Sequence, residues 1–125
     1  MKGLQSYVWV ALGGAAGTVL RAIISQAYPL QHNFHIVWIN ILGSLLLAVI
    51  FTSFSTDSEA HMRMKWLLGT GMMGGFTTMS TFSLDVVKLL EAGHYAIAGL
   101  YVLGSVVGGG VAAVIGILLT TLLKR

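Results

Sequence analysis

The chain has 125 residues, of which 56% are hydrophobic and only 9% charged, with a mean hydropathy of +0.86. A soluble domain carries about 25% charged residues, so an ordinary water-soluble fold is excluded, and no room remains for a soluble catalytic domain. The formal net charge of +3 comes from only seven Lys and Arg, which suit a topology signal better than a nucleic-acid surface.

Uncharged runs fill most of the sequence. Residues 3–20 lie between Lys2 and Arg21, 36–56 between His35 and Asp57, 66–84 between Lys65 and Asp85, and 95–123 between His94 and Lys124. A helix needs about 20 residues to cross the hydrocarbon core. The expected architecture is therefore one all-α integral membrane domain over residues 1–125, with four transmembrane helices at roughly 4–26, 35–54, 66–90 and 95–123. Lys2, the apolar run after it and the small-residue stretch "GGAAG" imitate a signal peptide, but three further spans follow, so the first helix is expected to be retained.

With both termini on one side, that side holds Lys2, Arg63, Lys65, Lys124 and Arg125, and the other only Arg21 and Lys88. The positive-inside rule then places the termini in the cytoplasm. Glycines recur in three of the four runs, as Gly13, Gly14 and Gly17, then Gly69, Gly71, Gly74 and Gly75, then Gly104, Gly108, Gly109, Gly110 and Gly116. Small residues three or four apart let helices approach closely in lipid. So small a chain is expected to complete its core with a second subunit.

The polar residues inside the spans carry the functional reading. Arg21 either snorkels to the headgroups or sits in a wet vestibule, where its charge concentrates anions. Asn40 in "WINILGSLL" serves either as a helix–helix hydrogen bond or as an amide donor to a passing anion, with Gly43 leaving room beside it. In the third run, "GMMGGFTTMSTFS" puts Gly74 and Gly75 before a row of hydroxyls, which suggests a helix break. Irregular backbone at membrane depth is tolerated only inside protein or beside a watery cavity, and its freed carbonyls suit a monovalent cation. The alternative is a glycine-rich kink whose Ser and Thr bond back to the preceding turn. Met79 and Phe82 are three residues apart and share a helical face, with Ser80, Thr81 and Ser83 nearby. In the last run Tyr101, Ser105 and Gly109 form one polar and small stripe.

These interior groups are rich in donors and poor in acids, with Asp85, Lys88 and Glu91 at or beyond the end of the third span. A small proton-coupled four-helix multidrug-type exporter needs a buried carboxylate to hold cation and proton in turn. A row of uncharged donors suits instead a small, strongly hydrated anion. Four scattered histidines, His32, His35, His61 and His94, have no metal-ligand spacing, there is no cysteine, and no nucleophile–base pair is evident, so an enzyme is not expected.

Taken together, "GGAAGTVLR", "NILGS", "GMMGGFTTMSTFS" and the Tyr101/Ser105 spacing resemble the CrcB or Fluc fluoride channel family over nearly the whole chain. The resemblance implies an antiparallel, dual-topology dimer in the bacterial inner membrane. It is a homodimer or a pair with a paralogous subunit, and conducts fluoride passively out of the cytoplasm through two pores. By the same resemblance Asn40 donates to fluoride, while Ser80, Thr81, Tyr101 and Ser105 form the polar track. Phe82 is one of two pore phenylalanines, and Arg21 is the family's first-span arginine. Gly74 and Thr77 would offer carbonyls to a structural Na+ at the dimer centre, from the broken third helices. The chain departs from the family at Met79, where the second phenylalanine is usual, at Gly109, where a track hydroxyl often lies, and at Asp85, where glutamate is usual. The thioether of Met79 is polarizable and flexible but lacks the aromatic edge. Accordingly, Met79→Phe should retain fluoride selectivity in liposome efflux assays, and loss of ion flux would mean that the pore is packed around methionine.

Overall fold

A computed structural model describes residues 2–27, 34–54 and 58–124. His32, Asp57 and Arg125, used above for spacing and charge, lie outside the described residues. The described residues form helices and no strand: α1 (Lys2–Ala27), α2 (His35–Ser53), α3 (Glu59–Met64), a π-helical segment (Lys65–Met73), α4 (Gly74–Phe76), α5 (Ser80–Glu91) and α6 (Tyr95–Leu123). Among them α1, α2 and α6 are long and apolar enough to cross a membrane. Their outward faces carry exposed Leu12, Val19, Ile23, Leu46, Val107, Val114 and Leu118, which water would not stabilise but lipid does.

Local sequence sets the ends of these elements. Ser58 caps α3 by accepting the His61 amide. Gly93, with φ 82°, ends α5 in a left-handed turn that side chains rarely adopt. Its amide bonds to the Leu90 carbonyl at 3.1 Å and the His94 amide to Leu89 at 2.9 Å, which is the Schellman arrangement.

Two helix pairs organise the packing, and glycine sets the distance in each. In the first, α1 lies parallel to the π-helical segment and α4. A Cβ on Gly13 would overlap the Leu67 carbonyl, one on Gly17 the Met72 carbonyl, and one on Gly75 the Gly14 carbonyl. Here backbone meets backbone, and any side chain would force the pair apart. The second pair is α2 and α6, also parallel, with Gly104 beside Val37, Gly108 against Ile41, Gly109 against Ser44 and Gly116 against Leu45 and Ala48. Lys124 closes this pair by donating to the Thr52 and Ser53 carbonyls at 2.6 and 3.0 Å, groups that the end of α2 leaves without helical partners. Lys65 sits 5.5 Å from the centre of the Phe51 ring, so Lys65 and Lys124 meet the same end of α2.

Helix begins ahead of the third uncharged run, at Glu59, and is divided into four segments ending at Glu91. Two sequence expectations are corrected here. Gly74 and Gly75, expected at a helix break, are helical, and the chain leaves helical geometry at Thr77, whose ψ is 158°. Gly75 is used for close approach to α1 rather than for a turn. Asp85, expected at or beyond the end of the third span and so outside the protein interior, is instead buried, with 5% of its surface exposed.

The α1 interface makes a direct prediction. Gly17→Ala should lower the thermal stability of the detergent-solubilised protein, by the about 1–3 kcal/mol that overpacking costs. Gly99→Ala, whose Cβ meets nothing within 4 Å, should leave the melting temperature nearly unchanged.

Candidate functional site: a donor-lined groove beside the helix discontinuity

Between Phe76 and Ser80 the backbone is not helical, so its amides and carbonyls need other partners. Asn40 on α2 meets that need with both ends of its amide. Its Oδ1 accepts the Thr78 N–H at 2.9 Å and its Nδ2 donates to the Thr78 carbonyl at 3.1 Å. Thr78 then begins α5: its hydroxyl accepts the Thr81 amide at 3.2 Å, in the manner of an N-cap. Thr77 folds back, its hydroxyl donating to the Met73 carbonyl at 2.8 Å. Asn40, Thr77 and Thr78 thus hold α4, α5 and α2 in one register.

A groove of about 270 Å³ opens beside this junction, lined by Asn40, Gly43, Ser44, Leu47, Thr77, Thr78, Met79, Phe82, Ser105 and Val106. Of the residues that the sequence singled out, Asn40, Gly43, Thr77, Met79, Phe82 and Ser105 therefore come together. Asn40 spends one of its two amide hydrogens on Thr78, and the second has no acceptor among the described residues. The Ser105 hydroxyl is buried and has no hydrogen-bond partner among the described residues. Ser44 was not foreseen. Its hydroxyl donates to the Asn40 carbonyl at 2.9 Å and lies 3.2 Å from where a Gly109 Cβ would stand. The small residue on α6 thus makes room for a hydroxyl supplied by α2. The signal for Ser44 was its four-residue spacing from Asn40, which puts both on one helical face. The space beside Gly43, in turn, is taken by the Thr77 methyl group.

The other expected residues lie off the groove lining. Ser80 is exposed, with its hydroxyl 3.4 Å from that of Thr78, and Thr81 is half-buried. Arg21 is half-buried on α1, and its Nε has no partner among the described residues. Gly74 is exposed and a Cβ there would meet nothing within 4 Å. Tyr101 is fully buried at 0% exposure, and its hydroxyl donates to Asp85 Oδ2 at 2.9 Å. Its ring stacks on Phe82, with centroids 5.5 Å apart and 29° between planes, and tilts against Phe34 at the same separation. Phe82 reaches the groove from this aromatic support, so Tyr101 acts on the groove through the ring that it holds.

Removing the Tyr101 hydroxyl takes a hydrogen bond from a buried carboxyl group, and bonds of that kind contribute about 1.5–3 kcal/mol. Tyr101→Phe should lower the melting temperature accordingly while keeping the Phe82 stack. A melting curve unchanged from wild type would show that Asp85 is held by other groups.

The family profile described as "CrcB-like protein, Camphor Resistance (CrcB)" matches residues 8–117. The fluoride-specific ion channel FluC of Stutzerimonas stutzeri (strain A1501) is 38% identical over 117 residues, which cover 90% of this chain and 94% of that protein. The protein of the same name from Rhodopseudomonas palustris (strain BisB5) is 40% identical over 112 residues, covering 82% and 86%. That of Leptospira interrogans is 34% identical over 113 residues, covering 87% and 89%. With the match running through α1, α2, the helix discontinuity and most of α6, the chain belongs to the CrcB family.

Proposed function

We propose that the chain is a passive, fluoride-selective ion channel of the bacterial inner membrane, exporting cytoplasmic fluoride and conferring resistance to it. The observation that carries this reading is the groove beside Thr78, where uncharged donors converge in a chain whose curated relatives are named fluoride-specific channels. Fluoride is small and holds its water tightly, so a path must replace that water with hydrogen bonds. The second amide hydrogen of Asn40 and the unpartnered Ser105 hydroxyl are suited to this role, and neither brings a negative charge. Ser80 and Thr81 extend the track at the start of α5, Met79 and Phe82 wall it, and Arg21 raises the anion concentration at a vestibule.

In this reading the segment from Lys65 to Glu91 is a broken third span, giving four spans per subunit. Two subunits pack antiparallel in the membrane, as two copies of this chain or one copy with a paralogous subunit. Each dimer then holds two grooves and two pathways. The small interior of one subunit, with α1 and α6 largely exposed, supports such a pairing.

The discontinuity also fits a structural Na+. In a continuous α-helix the Thr78 amide would bond to the Gly74 carbonyl and the Thr81 amide to the Thr77 carbonyl. Those amides go instead to Asn40 and to the Thr78 hydroxyl, which leaves both carbonyl oxygens without their helical donors. Hard cations take oxygen ligands of this kind. Gly74 and Thr77 from two subunits would hold the ion, and it would supply a fixed positive charge that ties the two broken spans together.

Purified chain in liposomes should release fluoride rapidly and retain chloride. Asn40→Asp, which puts an anion in the path, should abolish that release in protein that elutes as wild type on gel filtration. Normal fluoride release by the variant would remove Asn40 from the pathway. Drug transport driven by a proton gradient would favour the exporter, and fluoride retained even with a paralogous subunit present would overturn the channel.

A further inference from the structure

Met79 differs from every other described methionine. It is 73% exposed, whereas Met73 is 5% exposed and Met62, Met64 and Met72 are half-buried. It is also the sulfur-bearing residue among those that line the groove, facing the same space as Asn40 and Ser105. Thioether oxidation follows exposure, so chemistry that spares the other methionines reaches this one first. The groove is open and partly polar, and hydrogen peroxide is a small neutral molecule that enters wherever water does.

We propose that Met79 is an oxidation site through which peroxide-type oxidants reduce anion passage, an inference that rests on the channel reading above. A sulfur lone pair attacks one peroxide oxygen, the O–O bond breaks, and the second oxygen leaves as water with both peroxide protons. The sulfur is oxidised to the sulfoxide and the peroxide is reduced. This turns an apolar wall into a polar group whose oxygen carries partial negative charge and accepts hydrogen bonds. The groove's donors without an acceptor among the described residues include the second Asn40 amide hydrogen and the Ser105 hydroxyl, the groups that a passing anion needs. The oxygen competes for those donors and repels the anion. A phenylalanine in this position would be inert to the same oxidant, so the sensitivity belongs to this chain's methionine.

The test uses the intact protein in liposomes, with fluoride release measured before and after hydrogen peroxide and after a methionine sulfoxide reductase. Mass spectrometry of the peptide containing Met79 reads the modification separately. The expected result is one added oxygen on that peptide, a fall in fluoride flux of about tenfold, and recovery with the reductase. Met79→Phe, compared with its own untreated flux, should show no fall. The proposal is overturned if Met79 stays unmodified while other methionines oxidise, if complete oxidation leaves flux unchanged, or if the variant loses flux to the same extent. Should the variant fail to fold, reversal by the reductase in wild type decides the matter. Protein that releases no fluoride before treatment, even with a paralogous subunit present, refutes the channel reading and this regulation with it, while the mass spectrum still decides the oxidation site.

Discussion

The structure depends on how the backbone around Thr78 is satisfied. Residues 77–79 lie between α4 and α5 and interrupt the helical ladder, and in an apolar surround each unpaired amide or carbonyl costs about 1–3 kcal/mol or more. Asn40 answers two of these groups with one side chain, because a side-chain amide donates and accepts in parallel without carrying charge. The discontinuity and α2 are therefore one structural unit. The groove follows from that union, since α5 is redirected at Thr78 and the space left between α2, α5 and α6 is lined by whatever donors those helices present.

A second constraint comes from glycine. Where Gly13 and Gly17 meet the carbonyls of Leu67 and Met72, α1 is held against main chain and not against side chains. That contact gives many dispersion interactions over a short distance, and it is what remains to bind helices when the surroundings are as apolar as the protein. It also coincides with the π-helical Lys65–Met73, whose altered backbone register brings the segment to the discontinuity. The fold is thus tight along two seams and open elsewhere.

How far the sequence foretold this can be judged from particular residues. The three long apolar helices were legible because charge is nearly absent within them, and desolvating charge is the largest single cost in lipid. The departure from helix near Thr77 left a mark in composition, in the glycines and hydroxyls of the third run, but its position did not. Gly74 and Gly75 could serve either a turn or a close approach, and only Gly14 across the interface decides for the latter. The π-helical stretch had no sequence mark at all, since a change in hydrogen-bond register needs no special residue type. Ser44 was readable from its spacing to Asn40, whereas the Asn40–Thr78 bonds required two segments to be brought together across 38 positions of sequence.

Asp85 bears most directly on what such a fold can do. A buried carboxyl group is what a proton-driven exporter requires, and this chain has one after all. Its surroundings give it a different task. Asp85 is not among the residues that line the groove, and its Oδ2 accepts the Tyr101 hydroxyl at 2.9 Å. A carboxyl group turned away from the path cannot exchange a proton for a substrate within it. It can fix the Tyr101 ring, and that ring in turn holds Phe82 at the groove wall. The same pairing draws the Tyr101 proton away from the row of donors that the sequence had suggested, so the acid removes one donor while steadying an aromatic edge. With the acid sequestered, the groups left facing the groove are amide, hydroxyl, thioether and ring, a set that carries no charge and favours conduction of an anion over exchange of a cation.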